Sequence, residues 1–194
     1  MAIFIIRLYL HRFMTFPNEK KMHLAKHDKS KKGDIDEKVI SLLKAINAQD
    51  NYYTTSSCSG RVYLWTGTGK KNEMEWITVS HDLIQEDFFE IKPQKGLVWL
   101  RVEPFILHVA CKNMEAANLL LEKAKHIYKK SCILSASNKI MVEIRGSELM
   151  EMPLYNEGKS LYAGELEWLV QLVNKKMEKV WESIARFQKS LTPV

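Results

Sequence analysis

The stretch Asn51–Thr66, NYYTTSSCSGRVYLWT, is where the chain changes from helical to extended character. Its flanks, NYYTT and VYLWT, carry the β-branched and aromatic residues of two strands. Between them stand Ser56, Ser57, Cys58, Ser59, Gly60 and Arg61. A hairpin turn needs only a glycine and one or two polar residues. Three hydroxyls, a thiol and Arg61 exceed that need. Small side chains leave backbone N–H groups open, and with a neighbouring arginine they make a concavity suited to a carboxylate or phosphate. The stretch therefore reads as strand, turn and strand, with a site at the turn.

The extended character continues to Tyr155, with about eight candidate strands: YYTTS, RVYLWT, EWITVS, LVWLRVE, FILHVA, CILSAS, KIMVEIR and MEMPLY. Two helices interrupt them, the short DLIQEDFFEI and the longer NMEAANLLLEKAKHIYK, whose Ala116, Leu119, Leu120, Ala124 and Ile127 share a face. Upstream, Phe16-Pro17 opens a helix that runs to about Lys29, with proline suited to the first turn. KSKKG ends it, and a second helix starts at Asp34-Ile35-Asp36 with Val39, Leu42, Leu43 and Ile46 on its apolar face. The chain closes with a long helix, 164–191, whose Leu166, Leu169, Val173, Met177, Val180, Ile184, Phe187 and Leu191 step by three or four as a packing stripe. Strand runs followed by helices predict an α+β fold: a largely antiparallel or mixed sheet of about eight strands packed with helices, ending in a long C-terminal helix. A Rossmann-type arrangement is disfavoured, because TGTGKK follows a strand, holds only two glycines and does not open a helix.

At 194 residues, with 46% hydrophobic and 27% charged residues, the chain has the composition of a globular protein and reads as one domain over 1–194. The net charge of +6 resides in its beginning: residues 1–32 hold eight basic and two acidic side chains, and the remainder is balanced. Such a segment attracts a polyanion such as RNA, or is a solvated helix and loop. Residues 1–21 read as an N-terminal extension. The run MAIFIIRLYLHRFM is broken by Arg7, is too short for a membrane span of about 20 apolar residues, and lacks a small-residue cleavage site. An extra edge strand is the other reading of it. Cys58, Cys111 and Cys132 stand far apart without a C-x-x-C pair, which points to a reducing cytoplasm and to no cysteine-rich metal centre.

Strand parity sorts the polar residues, since alternate side chains point to opposite faces. In LVWLRVE, Val98, Leu100 and Val102 face one way and Trp99, Arg101 and Glu103 the other. In KIMVEIR, Ile140, Val142 and Ile144 leave Met141, Glu143 and Arg145 opposite, and His108 lies opposite Leu107 and Val109. His81 follows Ile77 and Val79 in parity and reads as a buried strand-end histidine. Solvent-facing ion pairs account for these charges as readily as a site does. A Cys58–His81 or Cys58–His108 nucleophile pair, or a metal site from the same residues, has no local signature; no metal is expected.

Together, SSCSGR, the upstream DKSKKGDIDEKV, WITVSH, EPFILHVAC and MVEIRGSELMEMPL resemble the tRNA wybutosine-synthesizing protein 3 family in its archaeal single-domain form, over roughly residues 22–160. The resemblance implies an S-adenosylmethionine-dependent methyltransferase acting on N4 of a wyosine-type tricyclic guanosine beside the anticodon of phenylalanine tRNA. It implies Ser57, Ser59, Gly60 and Arg61 around the amino-acid part of the methyl donor or an RNA phosphate. Glu103, His108, Glu143 and Arg145 would line the same pocket, with His108 or Glu103 as base and Trp99 stacking on the modified base or the adenine. Lys29, Lys31 and Lys32 would contact the tRNA backbone. A non-catalytic RNA-binding or assembly module is the alternative, and a Cys58-dependent hydrolase a third reading.

Overall fold

A computed structural model of the chain describes residues 15–25, 35–67 and 73–191. Its strands form two antiparallel sheets. In the first the order is β1 (Tyr52–Cys58), β5 (Ile106–Cys111), β7 (Ile140–Arg145), β6 (Cys132–Ser135); in the second it is β3 (Glu75–Ser80), β2 (Arg61–Thr66), β4 (Leu97–Glu103), β8 (Met150–Asn156), β9 (Lys159–Ser160). The expected α+β class, the antiparallel pairing and the long last helix are all present, and the parallel Rossmann arrangement is not.

The order of strands shows how the two sheets join. β1 leads into β2 through Ser59-Gly60, β4 into β5 through Pro104-Phe105, and β7 into β8 through residues 146–149. Three long stretches thus run through both sheets side by side and bend together at one seam. Ser56-Ser57-Cys58-Ser59-Gly60-Arg61 is accordingly not a hairpin turn: β1 and β2 belong to different sheets, Ser56, Ser57 and Cys58 are strand residues, and only Ser59 and Gly60 make the crossing. The bend needs close backbone approach. Gly60 has φ +94, and a Cβ there would lie 3.0 Å from Val180 Cγ1 and 3.1 Å from the Glu103 carbonyl oxygen. At Gly146 a Cβ would lie 2.9 Å from the Pro104 ring. Pro104 itself has no N–H with which to continue a ladder.

Each sheet has its own core, and one helix serves both. The first sheet packs Leu107, Val109, Val142 and Ile144 against α2 (Glu37–Asn47) and α3 (Met114–Lys125). The second packs Val62, Leu64, Val98, Leu100, Val102 and Leu154 around Ile84 and Phe89. The 26-residue α4 (Leu166–Leu191) gives Leu169, Val170, Val173 and Met177 to the second core, and Val180, Ile184, Phe187 and Leu191 to the first. Trp181 touches both, so the predicted stripe is the strut across the seam. Burying each such side chain contributes roughly 1.5–3 kcal/mol.

Two helical expectations change. DLIQEDFFEI forms only a 3-10 turn over Glu86–Phe89, because the Asn174 side-chain amide takes both the N–H and the C=O of Ile84 and holds that backbone out of a helix. In α3 the buried face is Ala116, Ala117, Leu120, Leu121 and Ala124, while Leu119 is exposed. At the other end α1 (Phe16–Leu24), which begins within the segment 1–21 read as an extension and runs past it, packs Phe16 and His23 on the Tyr53 ring. No described helix is long and apolar enough to cross a membrane.

Candidate active site at the seam

On the face of the first sheet away from its core, three strands place Ser56, His108 and Glu143 in one row. His108 Nδ1 lies 2.8 Å from Ser56 Oγ, and Nε2 lies 3.0 Å from Glu143 Oε2. A carboxylate only accepts, so the hydrogen bond to Glu143 assigns the proton to Nε2 and leaves the Nδ1 lone pair to accept from the Ser56 hydroxyl. An imidazole, a carboxylate hydrogen-bonded at one of its nitrogens and a hydroxyl at the other are thereby aligned.

Across the seam a second polar row begins with Arg61 opposite Glu103. Arg61 Nε donates to Glu103 Oε2 at 2.8 Å and Nη2 lies 2.6 Å from the same oxygen, while the Tyr63 hydroxyl donates to Oε1 at 2.7 Å. Arg101 Nη1 donates to the Tyr63 oxygen at 3.2 Å and its Nε to Glu151 at 2.7 Å. Desolvation, followed by the bond to Glu103, pushes the Tyr63 hydroxyl up to about 12. It therefore stays protonated and continues to donate.

Beside these charges the same face of the second sheet is aromatic. Trp65 and Trp99 stack at 6.0 Å, Tyr63 and Trp76 lie 5.4 Å apart, and the guanidinium of Arg61 sits 4.5 Å over the Trp76 ring. Arg101 sits 5.3 Å over Trp65. Trp65 is buried, yet its indole N–H has no acceptor among the described residues.

A third group lies at the end of β1. His81 Nδ1 is 3.2 Å from Asp36 Oδ2 and 3.8 Å from Cys58 Sγ, and Asp36 Oδ2 accepts from the Ser59 N–H at 2.9 Å. The hydrogen bond to Asp36, then that to Cys58, raises the His81 pKa from 6.5 to about 9 against the opposing cost of burial. The expected strand-end histidine is thus partly buried and ion-paired. Away from the seam, Lys20, Lys21 and Lys112 line an open groove of about 440 Å³.

Comparison with known proteins places the chain in a family. Residues 18–193 match the profile of the family described as Methyltransferase TYW3. The chain belongs to the Methyltransferase TYW3 family. It is 38% identical over 187 residues to the Xenopus laevis "tRNA wybutosine-synthesizing protein 3 homolog", covering 91% of this chain and 74% of the relative. It is 36% identical over 171 residues to the Pyrococcus furiosus "tRNA(Phe) 7-((3-amino-3-carboxypropyl)-4-demethylwyosine(37)-N(4))-methyltransferase 1", covering 83% and 86% of the two chains. The PH1069 protein of Pyrococcus horikoshii superposes with a TM-score of 0.77 at 35% identity, over 84% of this chain and 88% of that one. Membership of the TYW3 family brings with it S-adenosylmethionine-dependent methyltransferase activity.

Of the residues singled out in the sequence, His108 and Glu143 meet directly, Arg61 and Glu103 meet directly, and Trp99 lies on the aromatic face. Arg145 is exposed on β7, Ser59 is buried at the crossing, and Gly60 makes the bend. Ser57 pairs with Leu107 and so shares its face, opposite to that of His108; the hydroxyl beside His108 is that of Ser56. Lys29, Lys31 and Lys32 lie outside the described residues. Sequence reasoning passed over Tyr63, Trp65 and Trp76; the parity of RVYLWT, which puts Arg61, Tyr63 and Trp65 on one face, is the signal that reaches the first two.

Proposed function

We propose that this chain methylates N4 of a 4-demethylwyosine-type tricyclic guanosine in tRNA(Phe), in the cytoplasm, with S-adenosylmethionine as donor. The Ser56–His108–Glu143 row beside an arginine-bearing aromatic face carries the reading. The name of the Pyrococcus furiosus relative supports the acceptor and the nitrogen, and three free cysteines accord with a reducing compartment.

The donor, when bound, supplies an electrophilic methyl group on a sulfonium. Trp65 and Trp99 suit its adenine or the tricyclic base, and aromatic faces attract a sulfonium cation. Arg61 and Arg145 suit its carboxylate or an RNA phosphate, whereas the Ser59 N–H already donates to Asp36. His108 Nδ1 receives the proton from the acceptor N–H, directly or through the Ser56 hydroxyl, and Glu143 stabilises the imidazolium that results. Between the two bases expected from the sequence the geometry favours His108, because both oxygens of Glu103 already accept from Arg61 and Tyr63. Glu103 instead fixes the Arg61 guanidinium over Trp76.

The deciding experiment incubates purified protein with labelled donor and tRNA(Phe) carrying the 4-demethyl tricyclic base, followed by nucleoside analysis. Label on N4 is expected; tRNA binding without label or donor binding would leave an RNA-binding module. Trp99→Ala raises KM for tRNA or donor by about tenfold, since one aromatic–base stack is worth roughly 1–3 kcal/mol. Lys21 on α1 and Lys112 across the groove, which Asp50 also lines, suit the tRNA backbone together with Lys29, Lys31 and Lys32. Lys21→Ala with Lys112→Ala lowers the slope of log K against log salt by about 1 to 2, measured by filter binding between 50 and 200 mM salt. An unchanged slope removes the groove from the interface.

A further inference from the structure

On the aromatic face of the second sheet two rows of side chains run side by side. One is Trp65, Trp99 and Pro153, the other Tyr63, Arg101 and Glu151, each paired across β2, β4 and β8. Trp99 and Arg101 stand two residues apart on β4, a step of roughly 6.6–6.8 Å along one face. We propose that Arg101 and Glu151 form a subsite for an amino-acid zwitterion, the 3-amino-3-carboxypropyl group of an acceptor base stacked on Trp99. The inference rests on the acceptor proposed above: the name of the Pyrococcus furiosus relative puts that group at position 7 of its 4-demethylwyosine.

The first argument is what the ion pair leaves unused. A guanidinium has five N–H donors. In Arg101, Nε donates to Glu151 Oε1 at 2.7 Å and Nη2 lies 2.6 Å from the same oxygen, while Nη1 donates to the Tyr63 oxygen at 3.2 Å. Glu103 Oε1, at 3.7 Å from Nη1, is beyond hydrogen-bond reach. One N–H on each terminal nitrogen is left over, and a carboxylate takes two such donors together. Glu151 uses only Oε1, and its Oε2 has no partner among the described residues. Donors for an anion and an acceptor for a cation therefore stand side by side. The Tyr63 hydroxyl gives its hydrogen to Glu103, so towards Arg101 its oxygen accepts and holds the guanidinium in place.

The second argument is selection. Both side chains are within reach of a ligand, Arg101 at 26% and Glu151 at 29% exposure. An RNA phosphate satisfies the arginine but brings negative charge against the free Glu151 oxygen. A zwitterion satisfies both signs and adds no net charge. The methyl donor ends in the same group, so the chemistry alone admits it too. Its carboxylate is suited by Arg61 and Arg145, which lie at the seam ends of β2 and β7. The pair beside Trp99 is left to the acceptor.

The test presents the purified chain with tRNA(Phe) carrying the 4-demethyl tricyclic base, with and without the position-7 side chain. Filter binding gives the two affinities and labelled donor gives the two kcat/KM values. The wild type favours the substituted tRNA by about 10- to 100-fold, the range that one or two charge-assisted hydrogen bonds supply. In Arg101→Gln and in Glu151→Gln that preference shrinks towards unity, while donor affinity, read by calorimetry, shifts by less than about twofold. Circular dichroism establishes that each variant is folded; should Arg101→Gln be unfolded, the wild-type ratio and Glu151→Gln decide. Equal wild-type affinities for the two tRNAs overturn the subsite, as does a preference that survives Glu151→Gln. Lost donor affinity with the preference intact also overturns it and gives the pair to the donor. Binding is read without turnover, so a preference for the substituted tRNA with no label on N4 fails the proposed reaction and upholds the subsite.

Discussion

His108→Ala is expected to lower kcat by about 10²–10⁴-fold, the usual contribution of a positioned general base, while donor and tRNA affinities stay within about twofold, a change of less than about 0.5 kcal/mol. The reason lies in the row. His108 presents Nδ1 to Ser56 and is oriented from behind by Glu143, so removing the imidazole takes away the proton acceptor and leaves the stacking rings and arginines in place. Glu143→Gln separates base from orienter. An amide can accept or donate, so the tautomer with the proton on Nε2 is no longer enforced, and an intermediate loss in kcat follows. Added imidazole partly restores His108→Ala and does nothing for Glu143→Gln. Single-turnover transfer of labelled methyl measures the effect apart from product release. Full activity in His108→Ala would show that methyl transfer proceeds without this base, and a matching loss of donor affinity would make His108 a binding residue.

What the sequence revealed of this arrangement, and what it concealed, follows from the range of the interactions. The stripe on α4 and the faces of β4 and β7 depend on periodicity within one element, and Leu169, Val173, Met177, Val102 and Ile144 are buried as that periodicity requires. The crossing at Ser59-Gly60 has the same local signals as a hairpin. Whether β1 and β2 fold back on each other is decided by partners some 40 to 50 residues away, since Arg61 pairs with Glu103 and Ser57 with Leu107. Parity itself fails at a bulge: the register shifts between Thr54 and Ser56, which brings Ser56 rather than Thr55 opposite His108. The Cys58–His81 pair could be weighed but not decided, and Asp36 was not joined to it, because these residues meet only after α2, β1 and β3 are in place. Leu119 shows the opposite limit, an apolar residue at a fitting helical position that the tertiary packing leaves exposed.

Gly60→Ala should destabilise the fold by about 3 kcal/mol, and the size of the effect identifies what the seam is made of. A residue with a Cβ in the left-handed region costs roughly 1–2 kcal/mol, and Gly60 has φ +94. The new methyl would also meet Val180 Cγ1 at 3.0 Å and the Glu103 carbonyl oxygen at 3.1 Å. Val180 can yield a little, but the carbonyl belongs to the neighbouring bent strand and can move only if the seam opens, an overpacking cost of roughly 1–3 kcal/mol. Gly96 is the matched control, with φ +73 and nothing within 4 Å of an added Cβ, so Gly96→Ala carries the backbone cost alone. Urea unfolding of the two variants, with unchanged m-values, isolates the packing contribution as their difference. Equal losses would mean that the seam is compliant. A larger loss at Gly60 means that the three bends are locked together through Glu103, the residue that holds Arg61 over the aromatic face. In that case the surviving folded fraction of Gly60→Ala also shows weaker donor or tRNA binding, and Gly96→Ala does not.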